Sequence, residues 1–238
     1  MAVHWNKVTW YSKAIALVLF VALPFVGFWL GVKFGETVAP LAGLGSGTQT
    51  ATGTPAENPY YTNIAEWQID QRPDAGFSIA YPIDFQVDDN YSITPVTDWR
   101  VGGNGNPGQK ELTITIPRAF EPQTNFADAT LTVGKSSNQA AVADCMTPDQ
   151  TGGPGTGVAT TTINGINFSI FKSASAGAGN FYETTSYRTM HAGSCYAVEY
   201  TIHSSQIGNY PPSYNLQPFD ENQVGSVLDR IVSTFNFL

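Results

Sequence analysis

His191 and Cys195 stand four residues apart in the segment HAGSC, a spacing that a tight turn could fold into a Cys–His nucleophile. That chemistry needs a free thiol. The chain holds two cysteines, Cys145 and Cys195, fifty positions apart. An isolated pair outside the cytoplasm usually forms a disulfide, so the bonded state is the expectation if this part of the chain is exported. Closing such a loop contributes about 4 kcal/mol in the chain-entropy account.

Glu199, Thr201 and His203 alternate along one strand-like segment and so share one face of it. Glu199 and His203 are then about 13–14 Å apart along the strand, too far to hold one metal ion. The three histidines are dispersed, which argues against a zinc site. Asp84, Asp88, Asp89 and Asn90 cluster without the glycine and distal glutamate of a calcium loop, so solvated turn carboxylates are expected. Gly103, Gly105 and Gly108 match G-x-G-x-x-G, but the strand pattern KELTITI follows where a dinucleotide site needs a helix. No G-x-S-x-G motif occurs. No cofactor is expected. The candidate binding surface is Glu199, Thr201 and His203 with Thr113, Thr115 and Thr132, together with Tyr210 and Tyr214, which flank Pro211 and Pro212 in a stiff loop. A plain solvated sheet face and packing of the tyrosines over a sheet edge are the bland readings of the same residues.

Strands must position these groups. Phe77, Ile79 and Tyr81 alternate, as do Leu112, Ile114 and Ile116, Leu131 and Val133, and Ile166, Phe168 and Ile170. Asn164 and Gly165 between two such runs predict a two-residue hairpin, because both positions tolerate positive φ. Residues 180–190 and 194–203 read as two further strands joined at His191–Gly193. Tyr196, Val198, Tyr200 and Ile202 form the apolar face of the second. A short helix is expected over residues 138–145 and a loop over the glycines of 152–157. The chain closes on a helix. Asp220 is its N-cap with Gln223 three residues on, Phe219 and Val224 form a staple, and Val224, Val227, Leu228, Ile231 and Phe235 make one apolar stripe. The fold class is α+β: an antiparallel β-sheet packed by a C-terminal helix.

The segments FSIAYPIDF and LDRIVSTFNF sharpen this. They resemble the opening strand and the C-terminal helix of PsbP-like domains, and the resemblance covers residues 64–238. It implies a PsbP-like sandwich. The middle of this chain carries less helix than that layered fold. Relatives of this kind include photosystem assembly subunits, nuclear-import factors and bacterial envelope proteins, few of them enzymes, and no site residue carries over.

Ahead of this domain, Ala14 to Val32 is a 19-residue run without a charge, bracketed by Lys13 and Lys33. As a helix it covers roughly 28 Å, close to a bilayer's hydrocarbon core. Trp10, Tyr11 and Trp29 near its ends suit the interface, and Pro24 in mid-span is tolerated in membranes. The run is longer than a signal-peptide core, and Pro40 would follow a cut after Ala39. The expectation is a cytoplasmic tail over residues 1–13, a transmembrane helix over 14–34 in contact with membrane lipid, a flexible Gly/Thr/Ala/Pro linker over 35–59, and an extracytoplasmic domain over 60–238. Lys7 and Lys13 against Lys33 place the N-terminus inside. Gly27, Gly31 and Gly35 repeat at four, a weak helix-pairing pattern.

From residue 60 on, eight Lys and Arg side chains face 17 carboxylates, a net charge of −9. That domain lacks the basic footprint of a nucleic-acid or anionic-lipid binder. These features favour a membrane-anchored binding or assembly module at the cell membrane, with an envelope protein or glycan as partner. Two alternatives stand beside it. One is an envelope hydrolase or transferase using carboxylates such as Glu183 and Glu199, which would have to converge in a cleft. The other is a pilin-like or stalk subunit that associates through its anchor.

Overall fold

Period-two alternation builds most of the domain that follows residue 60. The computed structural model describes residues 11–23, 25, 61, 63–90, 94–102, 104–148 and 159–238. Among them, ten strands form two antiparallel sheets. The smaller has the order β1 (Gln68–Arg72), β2 (Phe77–Tyr81), β10 (Asn236–Phe237). The larger runs β3 (Gln86–Asp88), β4 (Gln109–Ile116), β5 (Phe126–Ser136), β9 (Ser194–Ser205), β8 (Asn180–His191), β7 (Ile166–Gly177), β6 (Ala159–Ile163). This is the expected architecture of antiparallel strands with a C-terminal helix.

Strands β6 to β9 form a meander of three tight hairpins. Asn164 and Gly165 join β6 to β7 with φ of +49° and +79°. Ala178 and Gly179 join β7 to β8, and Ala192 and Gly193 join β8 to β9, again with both residues at positive φ. Such turns match the right-handed twist of the strands they connect. Strands β8 and β9 reach His191 and Ser205, one and two residues past the spans expected from alternation.

Two helices pack on opposite faces of the larger sheet. Helix α1 (Gln139–Ala143) is short, with the Asn138 side chain accepting from the Ala140 and Ala141 amides. Helix α2 (Glu221–Ser233) is capped by Asp220, which accepts from Asn222 and Gln223. Its stripe of Val224, Val227, Leu228 and Ile231 is buried with Leu112, Ile114, Leu131, Val133, Val198 and Phe168 of the sheet. Each such side chain contributes about 1.5–3 kcal/mol when taken fully from water. Phe77 of the smaller sheet stacks on Phe235 at 5.5 Å, and Phe168 meets the same ring edge-on at 5.9 Å. The Thr234 hydroxyl accepts from the Ala80 amide at 2.8 Å, tying the end of α2 to β2.

The chain divides into two units, residues 1–54 and 55–238. In the first, residues 11–23 are helical, and Leu17, Val18 and Phe20 are exposed. Among the described residues no helix is long and apolar enough to cross a membrane. Pro24, residues 26–32 of the charge-free run, the Gly27/Gly31/Gly35 pattern, the linker 35–59 and the glycines of 152–157 lie outside the described residues.

Candidate functional site

The larger sheet has one face under α2 and one polar face. Cross-strand register assembles the polar face in rows. Thr113, Thr132, Glu199 and Ser186 form one row across β4, β5, β9 and β8. Thr115, Thr130, Thr201 and Thr184 form the next, and Asp128, His203 and Tyr182 the one after. Hydroxyl pairs lace neighbouring strands: Thr113 with Thr132 at 2.9 Å, and Thr184 with Thr201 at 2.8 Å.

Half of this face is covered. The segment around Trp99 and the stretch from α1 to Thr147 lie over it as a flap. Trp99, Ala141 and Cys145 are buried against Cys195 and Ala197 of β9. Cys145 and Cys195 are disulfide-bonded, as their number and placement suggest. The bond ties the flap to the sheet and leaves no thiol, so the nucleophile reading of HAGSC fails. His191 instead stacks on Phe237 at 3.8 Å.

Under the flap, Arg188 is fully buried. It donates to Ser186 Oγ and to the carbonyls of Thr147 and Val101, and its guanidinium lies 4.3 Å from the Phe171 ring centre. Glu199 Oε1 accepts the Val101 amide at 2.8 Å. Glu199 is 7% exposed, so it belongs to the flap's anchorage and is withdrawn from the surface.

The other end of the face remains open. His203 Nδ1 lies 3.1 Å from Asp128 Oδ2, and Nε2 lies 2.9 Å from Asn180 Oδ1. Its ring stacks on Tyr182 at 4.5 Å, only 14° from parallel. Two residues along β9, the Ser205 hydroxyl meets the Tyr210 hydroxyl at 3.0 Å. Tyr210 and Tyr214 stand 6.2 Å apart, and Tyr214 is 61% exposed. Their loop is pinned at both ends: the Gln206 amide donates to the Gly179 carbonyl, and the Phe219 amide to Asn125 Oδ1. Thr201, His203, Tyr210 and Tyr214 therefore gather at one end of the face, without Glu199.

The remaining sequence candidates separate. Glu183 pairs with Ile202 and Ser186 with Glu199, so Glu183 and Glu199 point to opposite faces of the sheet. They cannot converge, and the carboxylate-pair reading loses its pair. Among the turn carboxylates, Asp89 pairs with Arg72 at 2.9 Å and Asp88 accepts the Asn90 amide. Among the described residues no group of three or more His, Cys, Asp or Glu could hold a metal ion. Gly108 leads directly into β4, and a Cβ there would stand 2.5 Å from Trp99 Cγ, so this glycine admits the indole rather than a phosphate. Gly103 lies outside the described residues.

Sequence reading missed Tyr182, Asp128 and Thr130, which complete the open end, and Trp99 and Arg188, which hold the flap. Their positions depend on cross-strand register, which period-two alternation within one strand does not carry. No protein-family model matches the chain, and no curated protein matches it in sequence.

Proposed function

We propose that this chain is a single-pass membrane protein whose acidic outer domain, a PsbP-like sandwich, is a binding or assembly module on the far side of the cell membrane. The charge-free run, the Lys bias around it and the exposed apolar side chains of residues 11–23 support the anchor. The disulfide suits an oxidising compartment.

One observation carries the binding role. The open end of the sheet face sets threonine hydroxyls beside two aromatic platforms, the Tyr182–His203 stack and the Tyr210–Tyr214 pair. Hydroxyl rows offer both donors and acceptors, and rings supply rigid area at low entropic cost. That combination suits a neutral polar ligand, a glycan or an extended segment of an envelope protein.

The test is site-specific photocrosslinking in intact cells, with the full chain carrying the probe at Thr201 or Tyr214. Discrete protein or glycan adducts are expected at both positions and absent from a control probe at Ile83, itself 67% exposed on another part of the domain. Equal labelling at all three positions would overturn the assignment of this surface. Adducts of the chain with itself alone would move the reading to a stalk subunit.

A further inference from the structure

Helix α2 does not seal the apolar face of the sheet along its whole length. Between its N-terminal half and the ends of β7, β8 and β9 a cleft of about 650 Å³ remains. Tyr200, Ile202 and Thr185 form its floor, Lys172, Ala174 and Glu183 the strand wall, and Glu221, Asn222, Gly225, Ser226 and Asp229 the helix wall. That volume lies within the range of small-molecule sites.

Two features say that the space is kept open and which charge it favours. Gly225 sits inside α2, where glycine is the poorest helix former after proline. A Cβ built there meets nothing within 4 Å, so no close contact demands the glycine, and its effect is to recess the wall. The charges are three carboxylates, Glu183, Glu221 and Asp229, against Lys172. Tyr187 and Tyr200 both donate to Asp229 Oδ1 at 2.9 Å, which fixes that carboxylate in the helix wall of the cleft. Glu183 and Glu221 crowd each other. Burial, then the Glu221 charge, pushes the Glu183 carboxyl above its ordinary range. A cation between them would relieve that repulsion.

We propose that this cleft binds a small organic cation, an alkylammonium whose charge lies between Glu183, Glu221 and Asp229 and whose carbon chain rests on Tyr200 and Ile202. A bare metal ion fits poorly. The floor is aromatic and aliphatic, and the space far exceeds one coordination sphere. An ammonium near the Tyr200 ring gains from the ring quadrupole as well as from the carboxylates. The site is on the face opposite Thr201 and His203, so it stands or falls independently of the surface proposed above.

Titration calorimetry with spermidine against the full-length chain in neutral detergent, at pH 7.5 and low salt, tests this. One saturable site is expected. Glu221→Gln should weaken it by about tenfold, the usual scale of one lost charge partner. Gly225→Leu should fill the recess and abolish saturable binding while thermal unfolding stays unchanged or rises. Asp74→Asn, which removes an exposed carboxylate elsewhere in the domain, should leave binding intact. Absence of saturable heat, retained binding in Gly225→Leu, or equal weakening by Asp74→Asn and Glu221→Gln would each overturn the proposal.

Discussion

Trp99 lies so close to Gly134 that a Cβ at position 134 would overlap the Trp99 carbonyl oxygen and stand 2.8 Å from its Cε3. The flap therefore rests on backbone, and β5 carries a glycine where its polar face passes under the indole. Gly134→Ala should destabilise the domain by about 1–3 kcal/mol through overpacking. Gly177→Ala, at the end of β7 with nothing within 4 Å of the built Cβ, should change stability little. Urea midpoints of the two variants check this; equal midpoints would show that the flap yields without cost.

Two of the three hairpin turns place alanine in a left-handed conformation. Ala178 has φ +50° and Ala192 φ +47°. Alanine's Cβ resists this region with nothing to offset it, whereas asparagine's short polar side chain hydrogen-bonds locally and tolerates it. Ala178→Asn and Ala192→Asn should each stabilise by about 0.5–1 kcal/mol, and additively, since the turns lie at opposite ends of β8. Differential scanning calorimetry on the single and double variants reads the effect; a lowered Tm in either would contradict it.

The same turns show what was legible in the sequence. Asn164 and Gly165 announce a hairpin because asparagine tolerates, and glycine without a Cβ freely adopts, the positive φ that the turn requires. Ala178 and Gly179 do not, and the KSASAGAG stretch around them lacks apolar alternation, so the outer half of β7 was invisible. The C-terminal helix was plain from Asp220 and its stripe, because capping and periodicity are local. The flap was not. Its grip depends on Trp99 meeting Gly134 from 35 positions away, and on Arg188 reaching Thr147 and Val101, contacts that follow from tertiary packing alone.

Stability should rise as pH falls from 7 toward the mildly acidic range. Burial holds Glu111, Glu121 and Glu183 above the ordinary glutamate value of 4.5. Carboxyls raised on folding contribute stability that is full below their unfolded value and lost as pH climbs through the folded one. Asp98 runs the other way. The Lys110 hydrogen bond holds it below 3.8, and its contribution is lost as pH falls through that lowered value. The optimum should therefore lie near about pH 5. Denaturant titrations across pH 3–8 would show it, and Glu111→Gln with Glu121→Gln should flatten the alkaline limb. A wild-type optimum at pH 7 or above would contradict the assignment.

Reduction of Cys145–Cys195 should loosen the flap before it loosens the core. The bond closes a loop across 50 positions, and its loss should cost about 4 kcal/mol or somewhat less. The core under α2 shares none of its side chains with the flap cluster. Hydrogen exchange after reduction should accelerate at the Val101 and Val142 amides, bonded to Glu199 and to the Asn138 carbonyl. Exchange at Leu131 and Val198 in the central strands should stay slow. Uniform acceleration would mean that the flap and the core unfold as one unit.

Arg188 gives the sharper version of that test. Its guanidinium bonds two flap carbonyls, at Thr147 and Val101, from a fully buried position on β8. Arg188→Ala removes the charge and strands both carbonyls, a loss of about 3–5 kcal/mol. Arg188→Lys keeps the charge but lacks the planar fork that spans two acceptors, so it should recover less than half of the loss. If Arg188 merely filled volume against Phe171, a similarly sized apolar replacement would serve as well. Arg188→Met separates the two accounts. Packing predicts near wild-type stability, whereas bridging predicts a loss close to that of Arg188→Ala, with fast exchange at the Val101 amide as its local mark.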